Sequence, residues 1–419
     1  MSMTNGIKVN NLRINLISFI VVIIYIAGFF LNEDGSGSGE YDYINYLLVT
    51  QENLTKDFLN TLLNKGFSGY TPLHFIIYKP MYFLFGVEAL RLINFLISFF
   101  IILIFYKLLR IRFTQIENNQ IILIALLPTL DPYFRSSAYW FQNEITGLIL
   151  FLFSLYFFIK FDSENQNKID KNLFYSIFFC GLAFYTKQNY IFFVIFYYFY
   201  YIFSIKTFKF FLVISLYNLL IFLPFLYILF KFNSFAPGAA NQVFSISINN
   251  ILIFFSFFAF YFLPFHIFKI NKYFFHQNKI KILLSFFIIV FLSYFFNYDN
   301  NLGGGVFYKI SQILFKNNSL LFISSFVGLI IFFDVFDTKK ITNKFIFIPF
   351  LTIIIFLKVP YQEYFAIYFF YIYFLILEKN SIFDFSNSFN KKLSLIYCYF
   401  AIFLIGSIIY NLANLKELI

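Results

Sequence analysis

Charge is what this chain most conspicuously lacks. Asp, Glu, Lys and Arg make up 12% of its 419 residues, about half the share in a soluble domain. With a mean hydropathy of +0.77, that leaves no room for a large water-exposed domain. Cysteine is nearly absent. Cys180 and Cys398 both sit inside apolar runs, far apart, and read as small apolar filler. Three histidines are too few for a histidine metal centre. HExxH, CxxC and GxSxG are all missing, and so is an ATP-binding cassette, so any energy for transport or synthesis comes from elsewhere. Basic residues outnumber acidic ones by 31 to 20. They cluster in short breaks between apolar segments and form no basic face interleaved with stacking residues, which excludes a nucleic-acid partner.

What is abundant is phenylalanine and tyrosine, 73 and 33 residues. Phe, Ile, Lys, Asn and Tyr share AT-rich codons, and most of the basic residues are Lys, so aromatic content alone marks no site. The apolar runs are long enough to cross a bilayer: Asn15 to Leu31, Val87 to Tyr106 and Phe208 to Phe230 carry almost no charge over roughly 17–23 residues each. A buried helix of a soluble protein is shorter and shows a polar stripe. The expected fold is therefore all-α, a polytopic membrane protein of one domain over residues 1–419. About 13 transmembrane helices are expected, near 14–31, 87–106, 119–134, 143–159, 173–187, 189–205, 208–230, 251–268, 282–296, 318–334, 345–357, 361–377 and 393–412. The first segment has no small-residue cleavage site and reads as a retained helix rather than a signal.

Charge gives the helices a direction. With the N-terminus in the cytoplasm, 20 of the 31 basic residues fall in inner breaks, among them Lys8, Arg13, Lys107, Arg110, Lys269 and Lys281. Glu33, Asp34, Glu40, Asp42, Glu52 and Asp57 then all fall in the first outer loop, residues 32–86, the longest polar stretch of the chain. The loop opens on DGSGSGEYDY and ends on an aromatic-rich amphipathic segment after Tyr70, Thr71, Pro72 and His74, suited to the membrane interface. Short amphipathic helices are expected there. Two further outer segments are distinctive: 233–250 with APGAANQ, and 297–309 with NYDNNLGGG.

Several groups of polar residues carry candidate chemistry. Glu40 and Asp42, one residue apart on the loop, offer a general base to an acceptor hydroxyl and ligands to a divalent cation. They equally fit solvated loop acids. Asp131, Arg135, Gln142 and Glu144 surround the only tryptophan, Trp140. They suit a phosphorylated headgroup, which arginine binds bidentately, or a helix end anchored at the interface. Lys187, Gln188 and Asn189 interrupt an apolar stretch, either as a functional polar group at depth or as a tight outer turn. Lys358, Tyr361, Gln362, Glu363 and Tyr364 close a late outer turn. Asn297, Asp299, Asn300 and the glycines at 303–305 offer a backbone nest for an anion, or simply a Gly-rich turn.

The order of these stations resembles the GT-C glycosyltransferases, multi-span enzymes that use polyprenyl- or dolichyl-phosphate sugars. The acidic station is GEYDY and the Pro-containing one is YTPLHFII. A middle-helix motif, KQNYIFF, and a late aromatic motif, YQEYFAIYFFY, look most like the dolichyl-phosphate-glucose glucosyltransferase branch. The acidic station departs from adjacent acids, and Lys187 stands where Arg is common.

The resemblance implies a membrane glycosyltransferase, a hexosyl- or pentosyltransferase, that moves a sugar from a polyprenyl-phosphate donor to a lipid-linked glycan or other outer-face acceptor by one inverting displacement. Glu40 or Asp42 is expected as base. Arg135, Lys187 and Gln188 are expected on the donor phosphate and lipid, and His74, Tyr361, Gln362 and Glu363 on substrate. No cofactor is implied with certainty, and a divalent cation is compatible. The expected partners are the donor, the acceptor and membrane lipids. The expected location is a bacterial cytoplasmic membrane with the active face periplasmic. A lipid-linked glycan flippase or secondary transporter would show repeat symmetry and midplane charges. A polysaccharide polymerase or ligase would carry its main loop later in the chain.

Overall fold

In the computed structural model the described residues are 2–62, 71–164, 169–232, 247–269, 272–298, 303–336, 345–350, 352, 359–377 and 389–417. The described residues are 87% helical, and no strand occurs among them. Among the described residues, seven helices are long and apolar enough to cross a membrane. Asn15–Phe30, Asn118–Leu130, Lys171–Phe184 and Glu363–Leu375 are apolar but shorter. The chain is an all-α polytopic membrane protein, and it resolves into two compact units.

The first unit comprises residues 1–194, 204–240 and 397–419. Its helices are α1 (Ser2–Phe30), the loop helices α2 (Gly39–Asp42), α3 (Leu48–Lys56) and α4 (Phe58–Asn60), then α5 (Leu73–Arg112), α6 (Asn118–Leu126), α7 (Pro132–Tyr139), α8 (Asn143–Glu164), α9 (Lys171–Phe184) and α11 (Phe208–Phe232). Between α9 and α11, α10 (Ile191–Ile205) runs from one unit into the other.

α5 is continuous in hydrogen bonding but kinked at Gly86, whose φ of 75° and ψ of −170° lie where only glycine is at ease. The kink separates the expected interfacial segment from the span that follows. Phe83, Leu84 and Phe85, just before it, are 80%, 67% and 64% exposed, an apolar patch of the kind that faces lipid or a partner. The span expected over 119–134 is instead broken. Pro128 starts a tight turn, Asp131 leaves the helical region, and Pro132 opens a new helix. A proline inside a helix removes a backbone donor and clashes with the preceding turn. α8 and α9 are stapled where Ser154 Oγ donates to Ser176 O at 2.6 Å.

The second unit comprises residues 195–203 and 241–396. Its centre is the pair α12 (Ile248–His266) and α13 (Ser319–Phe336). A Cβ at Gly328 would run into the Phe255 carbonyl oxygen and come within 3.0 Å of Ala259 N. Ser325 Oγ donates to Leu252 O across the same crossing at 2.7 Å. Small residues at a helix crossing allow this approach inside a membrane. Phe258 and Phe262 stack at 3.9 Å, and Phe265 meets Tyr373 of the helix Glu363–Leu375 at 4.4 Å.

Candidate active site

The first unit builds a polar centre where α1 ends. Asn32 takes a left-handed turn, with φ 52°, and Glu33 N–H bonds back to Gly28 O at 2.9 Å. Facing it, α7 is fixed at its first turn. Asp131 caps it, its carboxylate accepting from the N–H groups of Tyr133 at 2.9 Å and Phe134 at 3.3 Å, and Pro132 follows directly. One turn on, Arg135 is 1% exposed and grips Glu33 with two bonds, Nε to Oε1 at 2.6 Å and Nη2 to Oε2 at 2.5 Å. Its Nη1 and Nη2 also donate to Thr129 O and Ile24 O, each at 3.1 Å. Burial works against the charge of Arg135. The bond to Glu33 and the charges around it outweigh burial, and its pKa stands above the usual arginine value. The phosphate role expected of Arg135 thus meets a guanidinium already holding a carboxylate.

Asp34 organises the next turn. Its carboxylate accepts from Ser136 Oγ at 2.7 Å, Ser36 Oγ at 3.0 Å, Gly37 N at 3.1 Å and Glu40 N at 3.1 Å. Gly39 lies so close that a Cβ there would strike Ser136 Oγ and come within 2.8 Å of Trp140 Cδ1. Trp140 Nε1 donates to Glu33 O at 2.9 Å, and Gln142 Nε2 donates to Gly39 O at 3.2 Å. Between them Phe141, fully buried, holds a left-handed φ of 57°. A bulky residue there is strained. Packing on His74 at 4.5 Å and Tyr78 at 4.7 Å holds it.

Glu40 and Asp42 both lie on α2, directly after this turn, Glu40 exposed and Asp42 half-buried. The acids that sequence reasoning passed over are Glu33 and Asp34. Their signal was two adjacent carboxylates closing an apolar helix, a position tolerable only when both are paired or hydrogen-bonded. Beyond them, Tyr43 is pushed up to about 12 by burial, so it stays a neutral hydroxyl, donating to Val87 O at 3.4 Å.

A second polar cluster in the same unit gathers His74, Lys187 and Gln188. Leu73 N bonds Tyr185 O at 2.8 Å and Thr71 Oγ1 bonds Phe184 O at 3.2 Å, tying the head of α5 to the end of α9. Asn143 Nδ2 donates to Thr186 O at 2.6 Å, and Lys187 is ion-paired with Glu144. Gln188 opens the short turn Gln188–Tyr190 that leads into α10. His74 Nδ1 bonds Thr146 Oγ1 at 2.8 Å. Three buried atoms, Asn143 Oδ1, Glu144 Oε2 and His74 Nε2, have no hydrogen-bond partner among the described residues. Buried polar groups rarely stay unsatisfied, and this set suits a hydroxyl-rich ligand. No group of three or more His, Cys, Asp or Glu able to hold a metal ion occurs among the described residues.

Tyr361, Gln362 and Glu363 belong to the second unit. Gln362 Oε1 accepts from Val306 N at 2.9 Å, while its Nε2 is buried without a partner among the described residues. Gly303, Gly304 and Gly305 all have φ between 72° and 77°. Gly304 N–H is taken by Pro360 O at 3.1 Å. Asn297 is held by a reciprocal pair with Asn249, at 2.7 and 2.9 Å. Asp299, Asn300, Lys358 and the APGAANQ segment lie outside the described residues.

Over residues 70–228 the chain matches the family model of dolichyl-phosphate-mannose-protein mannosyltransferases. The matched stretch is less than half the chain but contains His74, Arg135, Lys187 and Gln188. Together with the apolar helices it supports a membrane glycosyltransferase of the GT-C type that draws on a polyprenyl-phosphate sugar. No curated protein and no solved structure matches the chain.

Proposed function

We infer that this protein transfers a single sugar from a polyprenyl-phosphate donor to an acceptor hydroxyl at the outer face of a bacterial cytoplasmic membrane, with inversion at the anomeric carbon. The observation that carries the reading is the Glu33–Arg135 clamp. It fixes a run of loop carboxylates at the head of a membrane helix, within one unit that also holds the Lys187–Glu144 cluster. The N-terminus lies in the cytoplasm and the loop at 32–86 outside.

In this reaction Glu40 is the base. It is exposed, its backbone is set by Asp34, and its carboxylate takes the proton of the acceptor hydroxyl as that oxygen attacks the anomeric carbon. The bond from the anomeric carbon to the phosphate oxygen breaks, and its electron pair leaves with the polyprenyl phosphate. No covalent enzyme intermediate forms. Asp42, on the same short helix, is the second carboxylate within the acceptor's reach. Asp34 and Arg135 position the turn, Lys187 and Gln188 line the donor side, and the open acceptors of Asn143 and Glu144, with His74, face the sugar hydroxyls.

The test is a transfer assay on Glu40→Gln, Asp42→Asn and Asp34→Asn, run beside an unfolding measurement. Glu40→Gln is expected to lose about 10²- to 10⁴-fold in rate with unchanged stability, and Asp34→Asn to lose both. Full activity in both Glu40→Gln and Asp42→Asn would refute the catalytic assignment.

A further inference from the structure

The run DGSGSGE at 34–40 has the composition of a flexible linker, yet the proposed base, Glu40, stands at its end. Each of its three glycines is packed against a different neighbour. A Cβ at Gly35 would come within 2.8 Å of Pro132 Cβ, one at Gly37 within 2.7 Å of Asn411 Oδ1, and one at Gly39 would strike Ser136 Oγ. The glycines let other elements approach the backbone closely. Pro132 and Ser136 belong to α7. Asn411 belongs to the last helix, Phe389–Glu417, which is part of the first unit from Tyr397 onward. Its side chains reach that unit at three levels. Tyr397 Oη donates to Leu123 O of α6 at 2.5 Å, and the Phe403 ring lies 6.3 Å from that of Tyr133 on α7. Further along, Ser407 Oγ donates to Gly35 O at 2.6 Å. Asn411 Nδ2 donates to Gly35 O at 2.8 Å and to Asp34 O at 3.3 Å. Ser407 and Asn411 are four residues apart, neighbours on one face of the helix, and together they use both lone pairs of Gly35 O.

Resting on the function proposed above, we propose that Asn411 and Ser407 are positioning residues for sugar transfer. They hold the carbonyls of Asp34 and Gly35, so that the Asp34 carboxylate can set the N–H groups of Gly37 and Glu40 and accept from Ser136. A Gly/Ser run fixed at both its carbonyls and its N–H groups gives Glu40 one backbone position instead of many. Without the last helix, the same run keeps only the bonds of Asp34. A reacting group displaced by about 1 Å loses about 10²-fold in rate. A base acts in the transition state, so its displacement lowers kcat and leaves ground-state binding of the substrates in place.

Trp140 is the only tryptophan in the chain, is buried, and bonds to Glu33 O beside Gly39. Quenching of its emission by acrylamide therefore reports the order of the turn independently of activity. The experiment takes the full-length protein in nanodiscs and measures transfer from a polyprenyl-phosphate sugar together with this quenching. Asn411→Leu is expected to lower kcat about 10- to 100-fold, to leave KM within about twofold, and to raise quenching. Ser407→Ala should change kcat and quenching in the same direction by less, and Ser407→Thr, which keeps the hydroxyl, should restore them. Ile409→Ala, at an exposed position of the same helix, should leave everything unchanged. If Asn411→Leu does not fold, the two Ser407 variants decide. Wild-type kcat in Asn411→Leu would overturn the proposal, as would a loss confined to KM or a Ser407→Thr no better than Ser407→Ala. A wild type that transfers no sugar from a polyprenyl phosphate would defeat the function itself. Unchanged quenching in Asn411→Leu would overturn the role of the last helix alone.

Discussion

Replacing Glu33 by glutamine removes one charge from a deeply buried ion pair of the first unit. The side chains of Arg135 and Glu33 are 1% and 10% exposed. Without the carboxylate, the guanidinium keeps the carbonyls of Ile24 and Thr129 but loses its counter-charge. Breaking a buried pair from one side costs about 3–5 kcal/mol. Glutamine still presents one acceptor oxygen to Arg135, and the edge of Glu33 reaches solvent, so the low end applies. A loss of about 3 kcal/mol corresponds to a shift in the folding equilibrium of roughly 150-fold. Equilibrium unfolding of the detergent-solubilised protein measures this. The double variant Glu33→Gln with Arg135→Met removes both charges and should be less destabilised than Glu33→Gln alone. A Glu33→Gln variant within about 0.5 kcal/mol of wild type would refute the clamp, and so would a double variant worse than both singles.

Other consequences follow from the same geometry. Gly28→Ala places a Cβ against Arg135 Nη2, 2.6 Å from Glu33 Oε2 and 2.9 Å from the Tyr139 hydroxyl; it should cost about 1–3 kcal/mol and lower transfer, checked by unfolding and by activity. Gly86→Ala forces a side chain into φ 75°, ψ −170° with nothing within 4 Å of the new Cβ, so strain alone sets its cost at about 1–3 kcal/mol, read as a lowered unfolding midpoint. Lys187→Met leaves Glu144 buried without its counter-charge and should destabilise by about 3 kcal/mol, whereas Lys187→Met with Glu144→Gln should recover part of that loss. In the second unit, Gln362→Leu strips the acceptor from Val306 N and should cost about 1–3 kcal/mol, again measured by unfolding.

How much was legible in the sequence depended on whether the deciding interaction was local. The spans could be read because a bilayer demands a contiguous apolar run, visible one residue after another. The break at 127–132 was local too, carried by Pro128 and Pro132, but the hydropathy of the flanking residues hid it and the segment read as one span. The clamp was not legible. Glu33 and Arg135 lie 102 positions apart, and no periodicity relates a loop acid to a residue on a helix that far away. Sequence spacing therefore favoured Glu40 and Asp42, whose Gly/Ser neighbours look like a site, over Glu33 and Asp34, which look like a helix end. Lys187 was seen as costly at depth, but Glu144, the residue that makes it tolerable, could be assigned only from the fold.

The central claim is that a polyprenyl-phosphate sugar is the donor. Purified protein reconstituted in lipid vesicles, given a polyprenyl-phosphate sugar labelled in the sugar and a lipid-linked acceptor, tests it most directly. The label is predicted to move to the acceptor with inverted anomeric configuration, and the transfer should be lost in Glu40→Gln. Absence of transfer from the polyprenyl-phosphate sugar, or transfer that proceeds only from a nucleotide sugar, would contradict it.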